Sequence, residues 1–273
     1  MHMTQASSED SKLALIGFPY DANSSFLGGA AQAPAAIRQA LYSDSTSLWT
    51  EGGIDLGADG SLTDRGDVPL SAENFPDAVE EAVTALYEDG LRALALGGDH
   101  SITYPIVRSM SRRCKNLMIL HFDAHPDLYA DFRGNPYSHA SPFARIMEEQ
   151  LSARLVQVGV RTLNAHQRAQ AELYHVEIVE MRNLGATLTC KFEGPLYVSI
   201  DMDVLDPAFA PGVSHHEPGG LTTRQLIEMI QSIKAEIVGA DLVEFNPTRD
   251  PLGITAMACA KILKELAARM LMS

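Results

Sequence analysis

Basic residues are scarce in this chain. Its 21 lysines and arginines stand against 35 aspartates and glutamates, a net charge of −14. So little positive charge leaves few groups to grip a phosphate backbone, and no nucleic-acid partner is expected. The same acidic field would draw in a small cation. Cysteine is scarce too. Cys114, Cys190 and Cys259 are an odd number without metal-ligand spacing, so no disulfide framework or cysteine zinc site is expected, and the cytoplasm is the expected compartment. Long apolar runs are missing. None approaches the roughly 18–20 residues of a membrane span, so no membrane partner is expected. The opening MHMTQASSEDSK is polar and lacks the apolar stretch of a secretory signal. There is no internal repeat and no stretch that reads as an interdomain linker. Residues 1–10 read as a flexible tail and 11–273 as a single domain.

The sequence is rich instead in alternating elements. A chain of 273 residues with 46% hydrophobic content can bury one large core. Apolar runs predict strands over 13–18, 91–97, 117–123, 154–160, 175–180, 195–201 and 236–244. Helical patterning falls over 34–42, 76–89, 102–113, 141–150, 164–173, 222–234 and 254–271, with Thr222 or Thr223 as the cap of the sixth. This alternation predicts an α/β fold with a mostly parallel sheet and helices on both faces. Residues 43–75, rich in Ser, Gly and Asp, read as a long surface excursion.

Three of the expected strands end in groups that bind metals. LHFDAHPD, residues 120–127, carries Asp123, His125 and Asp127 at every second position, on one face while the strand persists. SIDMD, residues 199–203, ends in Asp201 and Asp203, and LALGGDH, residues 94–100, ends in His100. Asp99, next to His100, is expected to support the turn. Four carboxylates and two imidazoles exceed the usual three protein ligands of a catalytic zinc. They suit two divalent ions that share carboxylates. Oxygen donors outnumber nitrogen and no thiolate takes part, which favours Mn²⁺ over zinc or copper and leaves iron, cobalt and nickel possible. Water held between two such ions ionises near neutral pH.

Two further residues stand near this set. His139, in NPYSHAS, follows the ligand loop; it is either a structural loop histidine or a proton shuttle. Glu244 closes the apolar run of ADLVEFNP. It is either a strand-end salt bridge or a carboxylate fork for a planar guanidinium.

GGDHS, DAHPD, SIDMDVLDP and VEFNP, in this order, resemble the ureohydrolases, the family of arginases and agmatinases. NSSFLGG, APAAIR and DRGDVP extend the match over nearly the whole chain, while YSHASPFARIME and APGVSHHEPGGL resemble the plant-type arginase branch. The resemblance implies a three-layer α/β/α sandwich around a central parallel eight-stranded sheet. It also implies two Mn²⁺ per subunit and a homotrimer or homohexamer. His100, Asp123, Asp127 and Asp201 would hold one ion, and Asp123, His125, Asp201 and Asp203 the other, with Asp123 and Asp201 bridging. Asp127 would also accept a hydrogen bond from the attacking hydroxide, His139 would shuttle the proton, and Glu244 would anchor a small cationic guanidino substrate. The products would be urea and an amine. Asn135 and one of His215 or His216 are expected to read the substrate tail. Arginine is favoured, with agmatine and guanidinobutyrate as alternatives. A metallophosphoesterase is disfavoured because its Gly-Asn-His-Glu element is missing. A catalytically inactive assembly subunit is disfavoured by the intact ligand set.

Overall fold

The computed structural model describes residues 13–58, 60–185 and 188–272. The tail expected over residues 1–10 lies outside them. Eight strands form one parallel sheet: β1 (Leu13–Phe18), β2 (Leu62–Asp67), β3 (Arg92–Gly97), β4 (Met118–Phe122), β5 (Arg154–Val160), β6 (Glu177–Glu180), β7 (Pro195–Asp201) and β8 (Glu236–Val243). Their order is β2-β1-β3-β8-β7-β4-β5-β6. Seven helices connect them: α1 (Ala33–Leu41), α2 (Asp77–Glu88), α3 (Thr103–Ser111), α4 (Pro142–Glu148), α5 (Ala165–Leu173), α6 (Thr223–Ser232) and α7 (Ile254–Leu271).

The strand period of two divides the core into the two halves of a sandwich. Leu13, Leu15, Leu94, Leu96, Leu120 and Phe122 pack on one face with α1, α6 and α7. Ala14, Ile16, Ala93, Ala95 and Ile119 point to the other, toward α2, α3 and α4. The central strands are covered on both sides, which is why they read as continuous apolar runs. Truncating one such residue, for example Leu120→Ala, would cost about 2–5 kcal/mol. Helix α6 starts at Thr222, whose side chain accepts from Gln225 N while Gln225 returns the bond, a reciprocal cap.

The excursion over residues 43–75 needs correction, because it contains β2. This edge strand, LTDRGD, is largely exposed and has no apolar alternation to betray it. Arg38 holds it in place: the guanidinium pairs with Asp64 at 2.9 Å, with Asp67, and with the Gly66 carbonyl. The excursion is also tied down through Glu51, which meets Arg224 at 2.7 Å and Lys261 at 3.2 Å. Among the described residues no helix is long and apolar enough to cross a membrane.

Candidate metal centre

The four central strands, β3, β8, β7 and β4, open their carboxyl ends on one edge, where open α/β sheets bind ligands. His100 begins a short turn just after β3, the Asp123–Asp127 loop follows β4, Asp201 ends β7, and Glu244 follows β8. Strand alternation does not place the second group. β4 stops at Phe122, so Asp123, His125 and Asp127 lie in a loop. There His125 N donates to Asp123 Oδ1, and Asp127 turns the chain through a left-handed φ of 49°. Glu244 is left-handed as well, at φ 63°. Both are costly conformations for residues with a Cβ, and such strain gathers at functional sites. Gly98 is required in the first turn, since a Cβ there would lie 2.0 Å from the Tyr20 carbonyl oxygen.

All six expected ligands converge. His100 Nδ1 faces Asp127 Oδ2 at 3.1 Å, Asp201 Oδ2 at 3.2 Å and Asp123 Oδ2 at 3.4 Å. His125 Nδ1 faces Asp203 Oδ2 at 2.9 Å and Asp123 Oδ1 at 3.4 Å. Asp123 thus divides its two oxygens between two ligand clusters, one with His100, Asp127 and Asp201, the other with His125 and Asp203. Asp201 is grouped with the first cluster through Oδ2, and its Oδ1 accepts from Asp203 N at 2.8 Å.

The donor set fits divalent metal ions. His100 Nδ1, His121 Nε2 and Asp123 Oδ2 are buried and face only one another and the neighbouring carboxylates, a concentration of acceptors that a cation would satisfy. Titration behaviour shows the same demand for positive charge. Burial, together with the charges of Asp203 and Asp123, pushes Asp201 well above the ordinary carboxylate range. Burial opposes the charged form of His100, but Asp123, Asp127 and Asp201 outweigh it and hold the imidazole well above its usual value.

Beside the clusters, His139 Nδ1 meets Glu244 Oε1 at 2.8 Å, and His139 Nε2 meets Ser25 Oγ at 2.8 Å. Burial disfavours the imidazolium, yet the Glu244 carboxylate overrides it and raises His139 to about 9. Glu244 Oε1 also accepts from His100 N at 2.9 Å. His215 joins this pair in the lining; His216 is exposed and bonds the Pro211 carbonyl instead. Asp99 supports the turn as expected, accepting from Ser101 N and Asn23 N. Asn135 is not brought into the lining. Its amide nitrogen donates to Asn23 Oδ1 and its oxygen accepts from Tyr137 N.

His125, Asp127, Asp201, Asp203, His139, His215 and Glu244 share a cavity of about 230 Å³, whose wall beyond them includes Tyr129, Phe132, Thr162, Gln167 and Glu217. That wall, Ser25 and His121 are absent from the sequence-based site. His121 was legible in principle, because a histidine inside a buried strand requires a partner. It lies on β4 with Nε2 2.8 Å from Asp123 Oδ2, Nδ1 3.0 Å from Gln157 Nε2, and its ring 4.0 Å from Phe143. The outer wall carries no motif of its own.

A profile of the Arginase family matches residues 11–268. The mitochondrial arginase of Medicago truncatula is 48% identical, over 94% of this chain and 81% of its own length. The solved structure of arginase from that organism superposes with a TM-score of 0.90 at 46% identity, covering 96% of this chain and 88% of the other. An agmatinase of Bacillus anthracis is more distant, 33% identical over 94% of this chain and 91% of its own. The mitochondrial designation carried by several plant relatives overturns the cytoplasmic expectation. Scarce, unpaired cysteines indicate only a reducing compartment and do not say which.

Proposed function

We propose a reaction from one established premise: the chain belongs to the arginase family. It is a hydrolase that converts L-arginine to L-ornithine and urea. Water adds to the guanidino carbon, the bond from that carbon to the side-chain nitrogen breaks, and the departing amine takes up a proton. When bound, two divalent ions, Mn²⁺ by the oxygen-rich donor set, would supply Lewis acidity and make water nucleophilic near neutral pH.

His100, Asp123, Asp127, His125, Asp201 and Asp203 would hold those ions, and Asp123, with one oxygen toward each cluster, would serve both. Glu244 receives the planar guanidinium and fixes the carbon over the clusters. Asp127, the most accessible acid of the first cluster, accepts a hydrogen bond from the attacking water. His139 delivers the proton to the leaving amine. The amino-acid end of arginine faces the outer wall, where the Gln167 amide suits a carboxylate and Glu217 suits an ammonium. Asn135 serves this wall only indirectly, by holding the Asn23 loop. Assembly as a homotrimer or homohexamer follows the family likeness and is tested by analytical ultracentrifugation.

One observation carries the reading: two ligand clusters sharing Asp123 open into the same cavity as the His139–Glu244 pair. The test is urea release by the Mn²⁺-loaded protein, with kcat/KM compared for arginine, agmatine, guanidinobutyrate and guanidine. Arginine is expected to lead. A lead for agmatine would move the substrate and leave the reaction; no urea from any of the four would end the proposal.

A further inference from the structure

Asp241 lies on β8, three residues before Glu244 and without exposed surface. No ion pair includes it among the described residues. Three hydroxyls surround it instead. Tyr197 OH and Thr103 Oγ1 donate to Oδ2 at 2.6 and 2.7 Å, and Ser199 Oγ donates to Oδ1 at 2.7 Å. Ser199 also lies 3.0 Å from His100 Nε2. We propose that Asp241, acting through Ser199, is the positioning residue that fixes His100 in the tautomer able to bind a metal ion. The inference rests on the ion occupancy proposed above.

The direction of each bond follows from proton counting. A serine hydroxyl has one hydrogen to give. Ser199 gives it to Asp241, so toward His100 its oxygen can only accept. His100 Nε2 therefore carries a hydrogen, and in the neutral ring that a metal ion binds it is Nδ1 that keeps the lone pair. Nδ1 is the atom that faces Asp123, Asp127 and Asp201. A metal-binding imidazole must present a bare nitrogen to the ion, and the group behind its other nitrogen sets which one that is.

The fold builds this relay from strand register. Ser199 on β7 is paired with Asp241 on β8. Tyr197, Ser199 and Asp201 alternate onto one face of β7, so the relay and a metal ligand share that face. Thr103, at the start of α3, closes Asp241 from the helix side. His125 has no such support: its ring is partly exposed, and among the described residues its Nε2 makes no hydrogen bond or ion pair.

The test titrates Mn²⁺ into metal-free protein and follows the free ion by electron paramagnetic resonance, alongside metal-free melting temperatures. Ser199→Ala cuts the link to His100 but leaves Asp241 two hydroxyls; Asp241→Asn alters the acceptor itself. Each is expected to weaken one of the two ions about 10–100-fold, whereas Tyr197→Phe and Thr103→Val, which touch only the far oxygen, change affinity by no more than about threefold. A purely structural role would move melting temperatures alone. Wild-type affinity for both ions in Ser199→Ala overturns the inference, and so does a loss in Tyr197→Phe as large as in Ser199→Ala. If Asp241→Asn does not fold, Ser199→Ala decides alone. Wild-type protein that binds fewer than two ions would overturn the proposed function and this inference with it.

Discussion

His139 and Glu244, 105 residues apart in sequence, meet Nδ1 to Oε1 at 2.8 Å in the cavity wall. The carboxylate that would receive a guanidinium thus already faces one cation, and the imidazolium holds its place. In metal-free protein His139 should titrate at about 9, and Glu244→Gln should bring it down. The folded pKa is raised, so the pair contributes stability in full below about 6.5, the unfolded value, and loses it as pH rises through about 9. Histidine NMR titration with denaturant melts at both ends of that window checks this. An unchanged His139 pKa in Glu244→Gln would mean that the carboxylate does not set it.

Asp123 offers one oxygen to each cluster, while Asp201 Oδ2 faces His100 in the first. Asp123→Asn should weaken both ions, Asp201→Asn chiefly one, and each should lose nearly all activity. Metal analysis distinguishes the two variants. Chelation should also lower the melting temperature, because a ligand at 100 times its Kd stabilises the native state by about 2.7 kcal/mol. Full occupancy by two ions in both variants would contradict the assignment.

His139→Ala should retain both ions yet slow turnover by about 10²–10⁴-fold, the usual contribution of a general acid. Added imidazole should restore part of the rate. A turnover number equal to wild type would return His139 to a structural role.

Substrate choice should lie in the outer wall. Gln167→Ala should reduce kcat/KM for arginine more than for agmatine, by about 1.5–3 kcal/mol for one hydrogen bond to a charged group. Asn135→Ala should affect both substrates alike, since its amide holds Asn23 and does not line the cavity. Equal losses for both substrates in Gln167→Ala would remove it from tail recognition.

Glu51 fastens the excursion to α6 and α7, and Arg224, with Lys261 and Gln231, holds its carboxyl down at about 2. A depressed carboxylate contributes stability above its unfolded pKa of about 4.5 and loses it as pH falls toward 2. Glu51→Gln should lower the melting temperature at neutral pH, by no more than about 2–4 °C for a network this exposed. The two proteins should converge in acid. A difference that grows in acid would refute the ion-pair account.

Sequence carried the site further than the fold's edges. The convergence of the six candidate ligands was legible because three strand ends each carry carboxylates or histidines toward one edge of the sheet. Glu244 was legible because it ends an apolar run. β2 was hidden: held by Arg38 and open to solvent, it has no alternation to read. His121 was open to reading as a lone histidine in an apolar run, but the run names no partner for it. The divided oxygens of Asp123 and the turned-away amide of Asn135 depend on backbone conformations, such as the left-handed turn at Asp127, that no residue pattern announces.

The strand order also governs when this protein can become itself. β8, the last strand in the chain, sits between β3 and β7 at the middle of the sheet. Until residues 236–243 emerge from the ribosome, β3 and β7 have no common neighbour, and each presents an unpaired apolar edge. Such long-range closure is slow and leaves intermediates open to aggregation. His100, after β3, and Asp201, at the end of β7, face each other across β8, so the first ligand cluster should be complete only after that insertion. Metal uptake should therefore come late in biogenesis, and fragments that stop short of β8 should emerge as clients for chaperones.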